Sequence, residues 1–257
     1  MYGPVRSRRL GQSLGINILP RNMKVCTFNC SYCQYGWTRQ VVGGAEAVPW
    51  PSPSSIAKAV ALRLQFLRAR KEPVDRLTFA GNGEPTLHPD FAGVVRAVRE
   101  VRDAVCPGVP LAILSNSSTL DSPGIPEALA ALDERYMKLD AGDASLLRRV
   151  NAAQVPLDRV VAGLKDLPPF VVQSMFVKDR LGRIDNSTEL AVVAWIGAVR
   201  TLAPSAVHVY TIDRAPAWPY LQAIPPTRLE EIGRRARAAG LNAEVFGGAP
   251  VRQAVAR

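Results

Sequence analysis

Three of the four cysteines in this chain fall within eight residues, as Cys26-Thr-Phe-Asn-Cys30-Ser-Tyr-Cys33. Thiolates are the ligands of iron–sulfur clusters and of structural zinc, and both usually take four protein ligands. Three in one short loop leave a metal position without a local protein ligand, and an open position is where a substrate can bind and react. The other ligand candidates, Cys106, His88 and His208, are distant in sequence, and none sits in a paired ligand motif. Zinc would need one of them. Disulfides suit secreted chains, whereas Met1-Tyr-Gly-Pro-Val-Arg has no apolar h-region. Thiols of a cytosolic chain are metal-binding or catalytic more often than bridged. The spacing points to a cluster, with zinc or inert buried thiols as the alternatives. Cys106, after an apolar run, reads as a buried thiol at a helix end.

Such a loop must be held by flanking elements. Short β-rich runs alternate with helical patterns along the chain. Leu14–Leu19 reads as a first strand leading into the cysteines, and a Pro/Ser/Trp turn from Pro49 introduces a helix capped by Ser54 or Ser55. Its apolar stripe is Ile56, Val60, Leu64 and Leu67. Arg76–Ala80 is the second strand. Phe91, Val94, Val95, Val98 and Val105 give the next helix a buried face, with Arg96 and Glu100 turned outward. Strands at Leu111–Leu114, Tyr136–Leu139, Phe170–Val177 and Val207–Ile212 follow, with a weaker one at Ala243–Phe246. Helices at Pro126–Leu132, Ala144–Val150, Leu157–Leu167, Thr188–Leu202 (cap Ser187) and Thr227–Ala239 alternate with them. This alternation predicts a parallel sheet with right-handed crossovers. Six strands and a weaker seventh make it an α/β fold, a partial (β/α)6 TIM-like barrel, as one domain over 1–257 with its core at about 12–247.

In such barrels function sits on loops at the C-terminal ends of strands. The cysteine loop follows the first strand. After the second comes Gly81-Asn82-Gly83-Glu84-Pro85, whose glycines let backbone run close to a ligand and whose Glu84 supplies a carboxylate. His88 reads as serving that turn through a backbone hydrogen bond. Ser115 and Asn116 end the third strand, able to hold hydroxyls or a carboxylate or simply to form the turn. Lys138 and Asp140 share one face of the fourth, facing the lumen, as substrate-orienting groups or as a structural ion pair. Gln173 and Met175 share a face of the fifth. The sixth carries Tyr210 and ends in Asp213-Arg214.

Taken together, these segments resemble the radical S-adenosylmethionine (radical SAM) enzymes: C-x3-C-x-aromatic-C with Tyr32 before the last cysteine, and the glycine-rich run Gly81–Pro89. Gly3-Pro-Val-Arg-Ser-Arg-Arg-Leu-Gly, Asp185-Asn186 and Val209-Tyr-Thr-Ile-Asp-Arg214 also look like the group related to 4-demethylwyosine (tRNA-imidazoguanosine) synthases. The resemblance implies one 4Fe–4S cluster on Cys26, Cys30 and Cys33, with SAM on its open iron. Reductive cleavage of SAM then gives a 5′-deoxyadenosyl radical that abstracts hydrogen from a substrate. Tyr32 would lie along the adenine. Gly81, Asn82, Gly83 and Glu84 would hold the methionine amino group. Ser115 or Asn116 would reach ribose or carboxylate, and Tyr210 completes the cofactor set. Lys138, Asp140 and Gln173 are the candidates for orienting substrate, and an external electron donor of flavodoxin or ferredoxin type is implied. This chain has Gly-Asn-Gly-Glu where many members have Gly-Gly-Glu. It also has no cysteine before Cys26, where the wyosine synthases carry ligands for a second cluster.

The bulk numbers bound the substrate only loosely. At 257 residues and 47% hydrophobic the chain can bury a real core, and no apolar stretch approaches a membrane span. It reads as soluble and cytoplasmic. A net charge of +10 suits a polyanion such as RNA, although the arginines are spread over several helices as solvated faces would be. Modification of a partner protein, as by glycyl-radical activases, and small-molecule biosynthesis are the alternatives. Such activases often add a ferredoxin-like cysteine set, which is absent here.

Overall fold

A computed structural model describes residues 1–38 and 49–247. The chain divides into two compact units, one built from 1–26, 49–115 and 119–136, the other from 27–38, 116–118 and 137–247.

The first unit opens with a hairpin. Strand β1 (Tyr2–Ser7) runs antiparallel to β2 (Gly11–Ile16), pairing Val5 with Ser13. Sequence patterning missed β1, because Gly3 and Pro4 interrupt it and it has no apolar alternation. It also placed the first strand late: β2 ends at Ile16, and Asn17 turns the chain by accepting the Leu19 N–H at 3.3 Å. Helix α1 (Pro53–Ala69) buries Ile56, Val60, Leu64 and Leu67 as the stripe predicts. Its cap is Ser52, whose Oγ accepts the Ser55 N–H at 3.2 Å; Ser54 and Ser55 are already helical, with Pro53 at the first position.

Strand β3 (Arg76–Phe79) lies parallel between β2 and β4 (Leu111–Ser115), with Leu77 opposite Leu14 on one side and Leu111 on the other. Helix α2 (Phe91–Val105) is capped by Asp90 and buries Phe91, Val94, Val95 and Val98. Cys106 closes it as a half-buried thiol. Helix α3 (Ile125–Ala130) precedes β5 (Glu134–Lys138), which begins in this unit and finishes in the second.

A clamp joins the end of α2 to β4. The buried Arg102 donates to Asp133 at 2.6 Å and to the Val109 carbonyl at 2.9 Å, while Asp133 also accepts the Leu111 N–H at 2.7 Å. Burial pushes the Asp133 carboxyl up, but the Leu111 N–H and the Arg102 guanidinium outweigh it and hold it below its ordinary 3.8. A carboxyl depressed in the folded state adds stability that is complete above the unfolded value and is lost as pH falls through the folded one. We therefore expect the melting temperature of the native chain to fall on acidification below about pH 4, and that of Asp133→Asn to fall less steeply over the same window. Parallel thermal scans would check this.

In the second unit, β6 (Val171–Asp179) pairs parallel with β7 (Ala206–Thr211), and β7 with β9 (Ala243–Phe246). A three-residue strand, β8 (Leu221–Ala223), adds antiparallel to the end of β6 and is too short to show any periodicity. Helices α4 (Ala144–Asn151), α5 (Leu157–Lys165), α6 (Glu189–Arg200) and α7 (Pro226–Ala238) connect the strands. Thr188, rather than Ser187, caps α6. Ser187 instead donates to Asp185 from both N–H and hydroxyl. Trp195 of α6 is buried, with its ring edge-on to Phe176 and its Nε1–H shared between Leu139 O and Ser174 Oγ. All seven strands expected from patterning are present as β2 to β7 and β9.

Candidate active site

Two groups of predicted residues are built up, one in each unit. In the first, the segment after β3 folds against the residue that precedes Cys26. The Val25 N–H donates to Asn82 O at 3.3 Å, and Val25 O accepts the Glu84 N–H at 2.9 Å, so Val25 and Gly83 pair as a parallel bridge. A Cβ on Gly83 would stand 1.7 Å from Val25 O, and one on Gly81 2.1 Å from Asn17 Oδ1. Both glycines are thus required at least by the close approach of one protein segment to another. We expect Gly83→Ala to cost about 1–3 kcal/mol, as overpacking of a tight contact does, and to lower iron uptake by displacing Val25. Urea denaturation and iron analysis of the reconstituted variant would measure both.

Asn82 donates from Nδ2 to Pro20 O and Met23 O at 2.7 and 2.6 Å, pinning the turn before the cysteines. Its Oδ1 is buried without a hydrogen-bond partner. Glu84 is 2% exposed, and its Oε1 accepts from Thr86 N–H, Thr86 Oγ1 and Ser115 Oγ. It caps the short 3-10 helix Pro85–Leu87, and Ser115 is one of its donors. His88 serves the turn as expected: Nδ1 accepts the Asp90 N–H at 3.1 Å and Nε2 meets Pro51 O at 2.9 Å.

In the second unit the cysteine loop docks on the last turn of α4. The Asn29 N–H donates to Asn151 O, and Ser31 donates to Val150 O from both N–H and Oγ, each at 2.9 Å. These bonds satisfy carbonyls that a helix end otherwise leaves to water. Cys33 N–H turns back to Cys30 O, Trp218 N–H donates to Ser31 O, and Asn29 Oδ1 accepts the Thr38 N–H. Asn116 donates to Thr27 Oγ1 at 2.9 Å and accepts the Ser118 N–H, so this predicted ligand group acts as a brace for the start of the loop.

Beneath the loop lies Asp140, fully buried. Its Oδ2 accepts from the Tyr32 hydroxyl and from Asn151 Nδ2 at 2.7 Å, its Oδ1 accepts the Met175 N–H at 2.7 Å, and Lys138 Nζ stands 3.6 Å away. Lys138 also lies over the Tyr32 ring at 5.0 Å. Lys138 and Asp140 thus form an ion pair, and both oxygens of Asp140 accept from protein donors. The Tyr32 hydroxyl is likewise engaged, with burial and the Asp140 charge driving the phenol well above its ordinary value, so it stays protonated. Burial also raises the Cys30 thiol, against the pull of the Lys138 charge, so a metal must displace a proton there. Gln173 and Tyr210 are buried on paired strands, in register with His208 and Met175 respectively.

Two residues of this network escaped sequence reasoning. Asn151 donates to Cys30 Sγ at 3.2 Å and to the Tyr32 oxygen at 3.0 Å, and no local pattern links a helix-end asparagine to a cysteine so far away. Asn186, though part of a quoted segment, had no assigned task. It bonds Asp140 O, Met175 O and the Val177 N–H.

A family model described as the radical SAM superfamily matches residues 23–169, more than half of the chain. The chain belongs to the radical SAM superfamily. A UPF0026 protein of Methanocaldococcus jannaschii is 29% identical over 233 residues, 90% of this chain and 68% of that protein. One of Helicobacter pylori is 28% identical over 218 residues, 83% of this chain and 66% of its own. This radical SAM protein thus spans about two thirds of the length of those relatives.

Among solved structures, a radical SAM methyltransferase from Sphaerobacter thermophilus superposes with a TM-score of 0.69 at 14% identity, over 95% of this chain and 68% of that one. Streptococcus suis SuiB bound to the precursor peptide SuiA gives 0.64 at 17%, over 91% and 49%. Archaeal TYW1 gives 0.53 at 9%, over 90% and 72%. At these identities the likeness is one of fold, the α/β partial barrel of mostly parallel strands.

Membership makes the chain a radical SAM enzyme and implies a 4Fe–4S cluster and SAM. The residues present fit these groups. Cys26, Cys30 and Cys33 are unbridged thiols, and Cys30 already accepts an N–H donor of the kind that surrounds cluster sulfurs. Among the described residues no three His, Cys, Asp or Glu side chains gather around a single-ion site. Among them, too, no helix is long and apolar enough to cross a membrane.

Proposed function

We propose that Cys26, Cys30 and Cys33 hold a single 4Fe–4S cluster through three thiolates, leaving one iron to receive the amino and carboxylate groups of SAM. When bound, these groups supply a 5′-deoxyadenosyl radical by reductive cleavage of the sulfonium, for hydrogen abstraction from a substrate. The observation that carries the reading is the seating of the cysteine loop on the end of α4, with an amide N–H already directed at Cys30 sulfur.

The chain's own residues have distinct tasks in this reading. Gly81, Asn82, Gly83 and Glu84 form the cradle for the methionine part of SAM, supported by the buried, unsatisfied acceptor Asn82 Oδ1, which suits an ammonium donor. Ser115 or Asn116 reaches the ribose or carboxylate of SAM, Ser115 being bonded also to Glu84 and Asn116 to Thr27. Tyr32 offers its ring to the adenine while its hydroxyl is fixed by Asp140, and Tyr210 lines the same cofactor. Lys138, Asp140 and Gln173 orient substrate, with Asp140 also fixing Lys138 and Tyr32. An external flavodoxin- or ferredoxin-type protein delivers the electron. Anaerobic reconstitution with iron and sulfide, followed by assay of 5′-deoxyadenosine under dithionite, tests the reading. Absence of the nucleoside from fully loaded protein would sink it.

For the substrate, the net charge of +10 favours a polyanion, and RNA is the class we carry forward. Binding of bulk tRNA in a gel shift should weaken steeply with salt; no binding at low salt would exclude RNA.

A further inference from the structure

Asn151 lies outside every motif that the sequence singles out, yet it touches the cysteine loop with both its backbone and its side chain. We infer that Asn151 is a positioning residue whose side-chain N–H, donated to the sulfur of Cys30, sets how readily a cluster held there accepts an electron. The inference rests on the proposal that Cys30 is a cluster ligand.

Three observations carry it. The first is the division of the amide hydrogens. Nδ2 has two, and its acceptors are Asp140 Oδ2 at 2.7 Å, the Tyr32 oxygen at 3.0 Å and Cys30 Sγ at 3.2 Å. Asp140 takes the shortest bond, and the remaining hydrogen lies between the phenol oxygen and the sulfur. A buried carboxylate only accepts, so Asp140 also decides which end of the amide faces this way.

The second is the unused half of the amide. Asn151 is fully buried and its Oδ1 makes no hydrogen bond. A leucine of nearly equal volume would fill the space without stranding an acceptor, so what the amide alone brings is the donor.

The third is the rigidity of the arrangement. Asn151 is the last residue of α4, and its own carbonyl accepts the Asn29 N–H at 2.9 Å, one residue before Cys30. Donor and sulfur are therefore tied to the same short segment and stay in register. Hydrogen bonds to cluster sulfurs stabilise the extra negative charge of the reduced state and raise the reduction potential.

The test compares native full-length protein with Asn151→Leu and Asn151→Gln after anaerobic reconstitution. Iron content, circular dichroism and the cluster midpoint potential from a dithionite titration followed by electron paramagnetic resonance are read for each. The expected result is an Asn151→Leu protein that is folded and iron-loaded, with its midpoint potential moved to more negative values. 5′-Deoxyadenosine formation at a fixed donor potential should fall several-fold, with KM for SAM unchanged. An unmoved potential in loaded Asn151→Leu would overturn the inference. If the leucine variant loads no iron, Asn151→Gln, which keeps the donor group, decides: loading at the native potential supports the assignment, and loading at a displaced potential overturns it. Cys30→Ala separates the two readings, because full iron and a native potential there would remove Cys30 as a ligand whatever Asn151 does.

Discussion

Replacing Cys26, Cys30 and Cys33 together by alanine is expected to leave a folded chain that no longer takes up iron. Reconstituted native protein should hold about four irons, one per cluster position, and the triple variant close to none. 5′-Deoxyadenosine formation should drop by more than about a thousandfold, a loss of roughly 4 kcal/mol of transition-state stabilisation, because the group that performs the chemistry is gone rather than retuned. The fold should survive, since Cys26 and Cys33 are only half-buried and the loop is held by Asn29, Ser31 and Thr38 rather than by the thiols. Iron analysis, circular dichroism and chromatography of the SAM products would show all three effects. Retention of iron and of SAM cleavage would refute the ligand assignment.

The largest stability loss is expected from Asp140→Ala. The substitution takes a fully buried carboxylate away from the Tyr32 hydroxyl, the Asn151 amide and the Met175 N–H, and from the Lys138 ammonium 3.6 Å away. Removing one partner of a buried pair costs about 3–5 kcal/mol, well above the net worth of the pair itself. Urea denaturation should register a loss in that range. Asp140→Asn, which keeps the volume and one acceptor, should lose less. A change below about 1 kcal/mol for the alanine variant would mean that the network does not hold the loop. Because Asp140 and Asn151 are in contact, their effects should also be non-additive in the double variant.

Much of the frame was legible from residue patterns. Strands β4, β6 and β7 each present apolar residues in a short run between helical stretches, and burial on one or both faces leaves that mark on sequence. Strand β1 left none. It is an edge strand containing Gly3 and Pro4, and its pairing is decided by β2 rather than by its own side chains. The caps slipped by one or two residues at Ser52 and Thr188, because neighbouring Ser and Thr are equivalent until the backbone selects one.

The site was legible only where its chemistry is local. Three cysteines in eight residues announce a metal, and Gly81–Pro89 announces a tight turn. Which surface the turn approaches could not be read, and Gly83 proved to be empty-handed for the sake of Val25. Asp140, Asn151 and Asn186 are dispersed polar residues whose shared purpose appears only when three chain segments converge.

The docking of the loop on α4 has a consequence for how this region can vary. The carbonyls of Val150 and Asn151 work as a template edge against which residues 29 to 31 are laid. One residue added to or removed from the helix would swing that edge by about 100° around the axis, since a turn takes 3.6 residues. The exposed positions Ala144, Ser145, Arg148 and Arg149 carry no such duty. The length of α4 is therefore under tighter constraint than its composition: its outward face can drift freely, while its residue count sets where the thiols stand.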